Sequence, residues 1–391
     1  MMSQDSKREL LDALRPRYGQ ASRSEKGRLL DEYVLITGYH RKYLIHLLRH
    51  PPPSKTRRKR KGKSRYNLPV QAALVKVWRA ANCICGKRLV PCMEHFVCSL
   101  ERHGELNLNP ETRSLLLQMS AATADRLLQR HRLQHKRRGL STTKPGTLLK
   151  QRIPIRTFSE WDDHCPGFVQ IDLVAHCDDS TGGQYLYSLV LVDVATAWTE
   201  CVAVPNKGQK AVFEALCLAR QRLPFPMLGL HSDNGSEFIN DQLFRYCQQE
   251  GLTFTRSRPY KKNDQAYVEQ KNWTVVRQFV GYDRYQGPKA LLAMQALYTV
   301  LRLYVNFFQP VMKYVSKKRV GSKLIKHYDA AMTPYHRALA AAQTSPQKEQ
   351  ELQQLYLDLN PAALLRHIHQ LQDLLWSLAV RSYNEATNRL R

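Results

Sequence analysis

The sequence predicts a multidomain chain in which an α/β core, a sheet flanked by helices, is preceded by all-α regions and followed by a mainly helical C-terminal region. Three observations carry this. Between Phe158 and Arg256 the apolar pattern alternates as in strands and is broken by stretches of helical period. Upstream, apolar residues recur at helical spacing between long basic runs, and downstream Leu364, Ile368, Leu371, Leu375 and Leu378 recur at steps of four and three.

The chain has 391 residues, and a hydrophobic fraction of 43% supports real cores for several domains. Sixty Lys and Arg against 33 Asp and Glu leave a net charge of +27, which calls for a polyanionic partner. Nucleic acid is the obvious one. A membrane surface is the competing reading, but no apolar stretch approaches the roughly 18 residues needed to span, and a signal-peptide core is not seen, so a cytoplasmic location is expected. The nine cysteines are scattered and read as reduced thiols. Cys83, Cys85, Cys92, His95 and Cys98 invite a zinc reading, yet their spacing fits no usual finger, and packing by small apolar thiols is the preferred account.

Residues 6–17 form an amphipathic helix with Leu10, Leu11 and Leu14 on one face. Ser24 is placed to cap a second helix running to Ile36, Thr37-Gly38-Tyr39 breaks it, and a third runs from His40 to Arg49 with Tyr43, Leu44, Leu47 and Leu48 inward. Helix, glycine turn and basic helix is the layout of a helix-turn-helix DNA reader, with Arg41 and Lys42 on its outer face, and equally that of an ordinary helical hairpin. Pro51-Pro52-Pro53 ends it. From Lys55 to Arg65 there are eight positive charges and no acid, among them Arg57, Arg58, Lys59, Arg60 and Lys61. Such a run cannot bury itself; it reads as a linker whose charges displace counterions from phosphate.

A second helical region begins near Leu68, with Val70, Leu74, Val77 and Trp78 at helical spacing. A turn falls at Asn107 to Pro110, a helix at Thr112 to Met119, and Ser120 opens another basic helix, consistent with a second helix-turn-helix. The stretch from Arg126 to Arg156, with Lys136, Arg137 and Arg138 at its centre, holds ten Lys or Arg and no acid.

In the core, Phe168 to Val174, Tyr185 to Val192 and Thr199 to Val204 read as three strands joined tightly, an antiparallel meander. Val212, Ala215, Leu216, Ala219 and Leu223 mark an amphipathic helix. The apolar run Met227-Leu228-Gly229-Leu230 then forms a short buried strand that delivers Asp233 to a sharp Asn-Gly turn. A helix through Leu243, Phe244 and Cys247 follows, then a strand at Leu252 to Arg256. Asp172 is the only charge in its strand, an expensive place for an anion without a cation nearby. Glu269 opens a further helix, and 35 residues separate it from Asp233.

Asp172, Asp233 within Asp-Asn-Gly-Ser-Glu-Phe, and Glu269 at that interval resemble the Asp, Asp-35-Glu signature of the retroviral integrase and insertion-sequence transposase superfamily. The resemblance covers residues 165 to 285, about a third of the chain. It implies a ribonuclease H-like fold, a mixed five-stranded sheet in which the first and fourth strands lie side by side and bring Asp172 and Asp233 together. Three converging carboxylates repel unless a cation neutralises them, and oxygen ligands select Mg2+, with Mn2+ able to substitute. The resemblance implies two such ions, with Asp172 bridging them and Asp233 and Glu269 each completing one shell.

Other acids fit lesser roles. Asp193 reads as structural, Asp178 and Asp179 as turn residues, Asp264 as part of a mobile loop, and Glu237 as a cap or the partner of a base. The loop from Arg256 to Ala266, with Lys261 and Lys262, is expected to grip DNA, and on the last helix Lys271, Asn272 and Arg277 are expected to meet it. Relatives often carry Lys or Arg seven residues after the glutamate; here that position is Val276, with Arg277 next to it.

Residues 290–308 read as an apolar helix, residues 309–328 as a basic stretch without a decisive strand signal, and Asn360-Pro361 as a helix start. The expected domains are a helix-turn-helix at 1–54, a basic linker at 55–66, a second helical DNA-binding domain at 67–155, the catalytic core at 156–288 and the C-terminal region at 289–391. The expected function is a DNA transposase acting on element ends and target DNA as a homo-oligomer. The alternatives are a metal-dependent nuclease of the same fold and a catalytically silent DNA-binding regulator.

Overall fold

The computed structural model describes residues 3–50, 65–132, 165–258, 262–320, 323–341 and 343–380. The chain divides into two compact units, Met1–Arg65 and Tyr66–Arg391.

In the first unit, α1 (Gln4–Gln20), α2 (Arg23–Thr37) and α3 (Arg41–Arg49) enclose a small core of Leu11, Leu14, Leu30, Leu44 and Leu48. The cap of α2 is Ser22 rather than Ser24. Glu25, three residues on, accepts from the Ser22 N–H while Ser22 Oγ accepts from the Glu25 N–H, a reciprocal pair that Ser24 has no partner to make. Gly38 ends α2 at φ +70°, where a side chain would be strained. Tyr43, expected inward, is 50% exposed; its ring meets the edge of Tyr39 at 5.3 Å, while Leu44 and Leu48 are the residues of α3 that enter the core. Lys42 is exposed, as is Arg41, which pairs with Asp31.

The second unit opens with five helices, α4 (Leu68–Ala80), α5 (Gly86–Leu89), α6 (Met93–Arg102), α7 (Pro110–Leu117) and α8 (Ala121–Leu128). It continues with β1 (Phe168–Ala175), β2 (Tyr187–Asp193), β3 (Thr199–Val204), α9 (Gln209–Gln221), β4 (Gly229–Ser232), α10 (Asp241–Gln249) and β5 (Thr253–Arg256). After α11 (Ala266–Lys271) come α12 (Gly287–Phe308), β6 (Tyr314–Val320), β7 (Lys323–Tyr328), α13 (Pro334–Leu339), α14 (Pro346–Asp358) and α15 (Pro361–Ser377).

The sheet order is β3-β2-β1-β4-β5, with the first three strands antiparallel and β4 and β5 joining β1 in parallel. This is the mixed five-stranded sheet that the meander and the two helix–strand repeats predict. β2 and β3 are buried along their whole length. β3 is an edge strand, and α12 covers it: Asn306 Oδ1 accepts from the Thr199 N–H (2.8 Å) and its Nδ2 donates to the Thr199 carbonyl (2.9 Å). Edge backbone so satisfied offers no ladder to another chain.

α12 corrects the reading that nothing in the sequence is long and apolar enough to span a membrane. Its 22 residues pass by length and composition, yet Ala293, Leu297, Leu301 and Val305 are buried in the core. The helix packs against β3, α13 and α15 and leaves one stripe with Leu292, Gln295 and Thr299 exposed, as a core helix of a large unit does.

The same helix explains why residues 66–132 do not stand apart, although the sequence gives 67–155 a domain of its own. Their apolar faces join the core of the sheet layer. Tyr304 Oη donates to the Ala80 carbonyl (2.7 Å), Arg88 Nε to the Pro310 carbonyl (2.7 Å), and Ser99 Oγ to the Leu359 carbonyl (3.2 Å). The C-terminal region is mainly helical, as expected, and the β6–β7 hairpin is the exception, in the basic stretch that carries no decisive strand signal. Its strands are rich in Lys and have no buried face to imprint an apolar alternation.

His95 of α6 and His336 of α13 stack with ring centroids 4.1 Å apart. Burial, and then the neighbouring His95, lowers His336 to about 4, and burial lowers His95. A depressed histidine contributes stability that is present above its ordinary value of 6.5 and lost as pH falls toward the folded value. Thermal midpoints measured from pH 7 to 4 are therefore expected to fall less steeply in a His336→Gln variant, by up to about one proton in the slope. Equal slopes would show that this contact does not sense acid.

Candidate active site

The site is built on the carboxyl ends of β1 and β4. These strands pair in parallel as Phe168↔Gly229, Val169↔Leu230 and Gln170↔His231, and β4 pairs with β5 as His231↔Thr255. Residues in register share a face, so Gln170, His231 and Thr255 form one polar row. The pairing stops at Gln170↔His231; continued by two residues, the same offset would carry Asp172 level with Asp233, which follows the end of β4.

The row beneath is a closed network. His231 lies fully buried, with Nδ1 2.9 Å from Thr255 Oγ1 and Nε2 3.0 Å from Ser257 Oγ. Gln170, also fully buried, accepts from the Val268 N–H (3.1 Å) and donates to the Asp264 carbonyl (3.1 Å). One glutamine thereby clamps the start of α11, the helix that carries Glu269, onto β1, the strand that carries Asp172. The sequence reading missed Gln170. Its signal is a polar residue two positions before Asp172, hence on the same face, in an otherwise apolar strand.

Asp172 accepts from the Leu173 N–H (2.8 Å) and from Asn272 Nδ2 (2.6 Å). Burial holds its pKa above the ordinary carboxylate value, although both hydrogen bonds and the charge of Arg277 pull it down. Asp233 Oδ1 accepts from the Gly235 N–H (2.8 Å), an Asx turn that fixes the Asn-Gly corner. Glu269 is exposed on α11, three residues before Asn272 and so on the same side of the helix.

Glu237 belongs to this cluster more closely than the sequence suggests. Burial, and the negative charge of Asp172, raise its pKa, while Lys207 lowers it, so it has the basic neighbour expected and an acidic one besides. A Cβ on Gly235 would lie 2.6 Å from the Glu237 carboxyl carbon, which accounts for a glycine between the two acids.

As their side chains stand, no three His, Cys, Asp or Glu among the described residues are gathered tightly enough to hold an ion. The residues nonetheless suit a hydrated hard cation. One carboxylate lies near the end of β1, a second just past the end of β4 on the strand paired with it, a third on the exposed side of α11, and Asn272 Oδ1 is a buried acceptor without a partner beside Asp172. A metal-bound water is the kind of donor that atom lacks.

Other expected site residues fall elsewhere. Lys271 is corrected: at 5% exposure it points into the core, where burial lowers its pKa to about 7, and it cannot reach DNA phosphate. Arg277 gives its guanidinium to the Ala175 and Gly281 carbonyls (3.1 and 3.3 Å) and lies over the Tyr282 ring at 4.6 Å. It acts on Asp172 through its charge rather than from an open surface. Residues Asn272–Arg277 form a π-helical turn, whose i→i+5 bonding adds one residue to the turn. Asp264 is likewise corrected. It is fully buried in a 3-10 turn, with Arg258 donating to both its oxygens (2.9 and 2.8 Å), because the carboxylate closes the loop onto β5 rather than moving with it. Arg57, Arg58, Lys59, Arg60, Lys61, Lys136, Arg137, Arg138 and Lys261 lie outside the described residues, and only the backbone of Lys262 is described.

Residues 163–262 match the family described as the integrase core domain, a span that contains Asp172 and Asp233 and ends before Glu269. The chain belongs to the Asp-Asp-Glu transposase and integrase superfamily. It is also of one family with the uncharacterized protein y4rM of Sinorhizobium fredii (strain NBRC 101917 / NGR234), to which it is 43% identical over 341 residues, 86% of this chain and 96% of that one. Among solved structures it is similar to the catalytic core domain of BIV integrase, with 20% identity, a TM-score of 0.29, and 44% of this chain and 94% of that chain covered. It is similar too to the HTLV-2 integrase catalytic core domain in complex with magnesium, with 16% identity, a TM-score of 0.28, and 38% and 91% covered. The integrase-core family as a whole carries out polynucleotidyl transfer with divalent metal.

Proposed function

We propose that this superfamily member is a DNA transposase that binds the ends of a mobile element, hydrolyses a phosphodiester to expose a 3′-hydroxyl, and joins that hydroxyl to target DNA. What supports the reading is the parallel pairing of β1 with β4, the strands that lead to Asp172 and Asp233, together with the hydrogen bond by which Gln170 ties the start of α11, the helix of Glu269, to β1. Asp172, Asp233 and Glu269 would hold two Mg2+ ions, for which Mn2+ substitutes, and when bound these supply Lewis-acid activation of the attacking oxygen and stabilise the departing one. The chain's own residues do the rest. Asn272 fixes the rotamer of Asp172, the His231 network keeps the strand end rigid, and the excess of 27 positive charges attracts the duplex and holds it against the acidic site. The protein works on DNA as a homo-oligomer, since joining requires two element ends in one complex, and in the cytoplasm at the nucleoid.

The test offers labelled element ends and a target plasmid to the purified protein. Joined products support the reading; cleavage without joining leaves a nuclease of the same fold. Asn272 supplies a narrower check. Removing a group that orients a metal ligand costs about 10- to 100-fold in metal affinity or activity. Asn272→Ala is therefore expected to weaken Mn2+ binding, followed by calorimetry, by that factor with the fold retained, and unchanged affinity would remove Asn272 from the site.

A further inference from the structure

We propose that the β6–β7 hairpin is a DNA-binding ribbon that lies in the major groove of a duplex. The inference rests on the reading of this protein as a DNA-processing enzyme and adds a contact surface which neither the sequence motif nor the family match assigns.

Four observations support it. The first is charge: from Lys313 to Tyr328 there are six Lys or Arg and no acid. The second is exposure on both faces. The register pairs Lys318 with Ile325 and Lys317 with Lys326, so Lys318, Val320 and Ile325 share one face and Arg319 and Lys326 the other, and all five are exposed. A ribbon with neither face on the core has no folding reason for its length. The third is the foot, which is rigid. Val311 and Met332 exchange backbone hydrogen bonds (2.9 and 3.1 Å), the Lys313 N–H donates to Asp329 Oδ1 (2.6 Å), and Arg337 binds both Asp329 Oδ2 (2.7 Å) and the Val311 carbonyl (3.0 Å). The arm is thus held at its base and free beyond it.

The fourth is size. Seven residues of β6 span about 23 Å at ~3.3 Å per residue, and two strands stand ~4.8 Å apart before side chains are added. A two-stranded ribbon of that section enters the major groove, about 12 Å wide, and is too broad for the minor groove at about 6 Å. Lys and Arg reach phosphates on either wall, while the exposed Val320 and Ile325 offer apolar contact to thymine methyls on the floor. A second copy of the chain is the competing occupant. Strands this cationic would repel their equivalents in a second copy, which favours the polyanion.

The experiment uses the full chain and a triple variant, Lys318→Ala with Arg319→Ala and Lys326→Ala, all at exposed positions, with matching thermal midpoints as the folding control. Affinity for a mixed-sequence duplex is measured across salt concentrations, together with protection of guanine N7, a major-groove atom, from methylation. If three phosphate contacts are lost, the slope of log affinity against log salt becomes shallower by between about 2 and 3, and affinity at low salt falls on the order of 10²-fold. Protection by the wild-type chain is lost with it. A variant that binds with the wild-type affinity and slope overturns the inference and leaves the transposase reading standing. A changed slope with N7 protection intact, or never present, overturns the groove assignment, and a variant that sediments as a smaller species without DNA assigns the ribbon to a second copy instead. Wild-type protein with no duplex affinity would remove both readings together.

Discussion

Asp233→Asn protein is expected to bind element-end DNA as the wild type does while cleavage and joining fall by about 10³-fold or more. The change removes one negative charge and keeps the shape. Asparagine can still accept the Gly235 N–H, so the Asn-Gly corner and its continuation into α10 survive. What is lost is an anionic oxygen just past the end of β4, the strand paired with the one that carries Asp172. Metal activation contributes several kcal/mol to phosphoryl transfer, and each 1.4 kcal/mol is tenfold in rate, so the loss of a ligand is a loss of about three orders or more. Asp172→Asn is expected to behave alike, with one added mark. Burial already raises Asp172, so exchanging it for a neutral group relieves desolvation and the variant should melt slightly higher than the wild type. Activity within tenfold of wild type in either variant would refute the site, and loss of DNA binding in both would point to misfolding rather than chemistry.

How far the sequence reveals this arrangement depends on whether a residue's partners are local. The strands of the core are legible because burial on both faces leaves continuous apolar runs, and the period of α9 is legible because only one of its faces is buried. The side-by-side placement of the first and fourth strands follows from the resemblance, and the parallel pairing of β1 with β4 supplies its physical form. Lys271 and Asp264 are misread for the opposite reason. A lysine after a candidate ligand looks like a phosphate contact until α11 turns that side toward the core, and an acid in a polar loop looks mobile until Arg258 closes on it. The hairpin leaves no alternation to read because nothing covers it. Nor can a sequence tell whether two apolar helix faces meet each other or separate partners, so the packing of α4 and α6 against the C-terminal helices becomes visible only in the fold.

Arg302→Ala is expected to be the most destabilising single substitution of an ion pair among the described residues. Glu200 lies on β3 with its carboxylate fully buried, and Arg302 on α12 donates to both its oxygens (2.7 and 2.8 Å). Trp198 Nε1 adds a third bond at 2.9 Å. Truncating the arginine leaves that carboxylate in the core with the indole alone. Breaking a buried pair from one side costs about 3–5 kcal/mol, because the surviving charge keeps its desolvation penalty and loses its compensation. Even paired, Glu200 is raised above the ordinary glutamate value, by burial first, with Arg302 opposing. Without the arginine it rises further. A raised carboxyl is favourable to the fold while protonated and loses that contribution as pH climbs through the folded pKa, so the deficit should widen from pH 5 to pH 8. Urea unfolding of the two proteins at both pH values measures it. The companion Glu200→Leu with Arg302→Leu removes both charges and should regain much of the loss, since an apolar pair owes no desolvation. If Arg302→Ala unfolds at the wild-type urea concentration at pH 8, the pair is not what holds α12 against β3, and the hydrogen bonds of Asn306 to Thr199 would have to carry that junction alone.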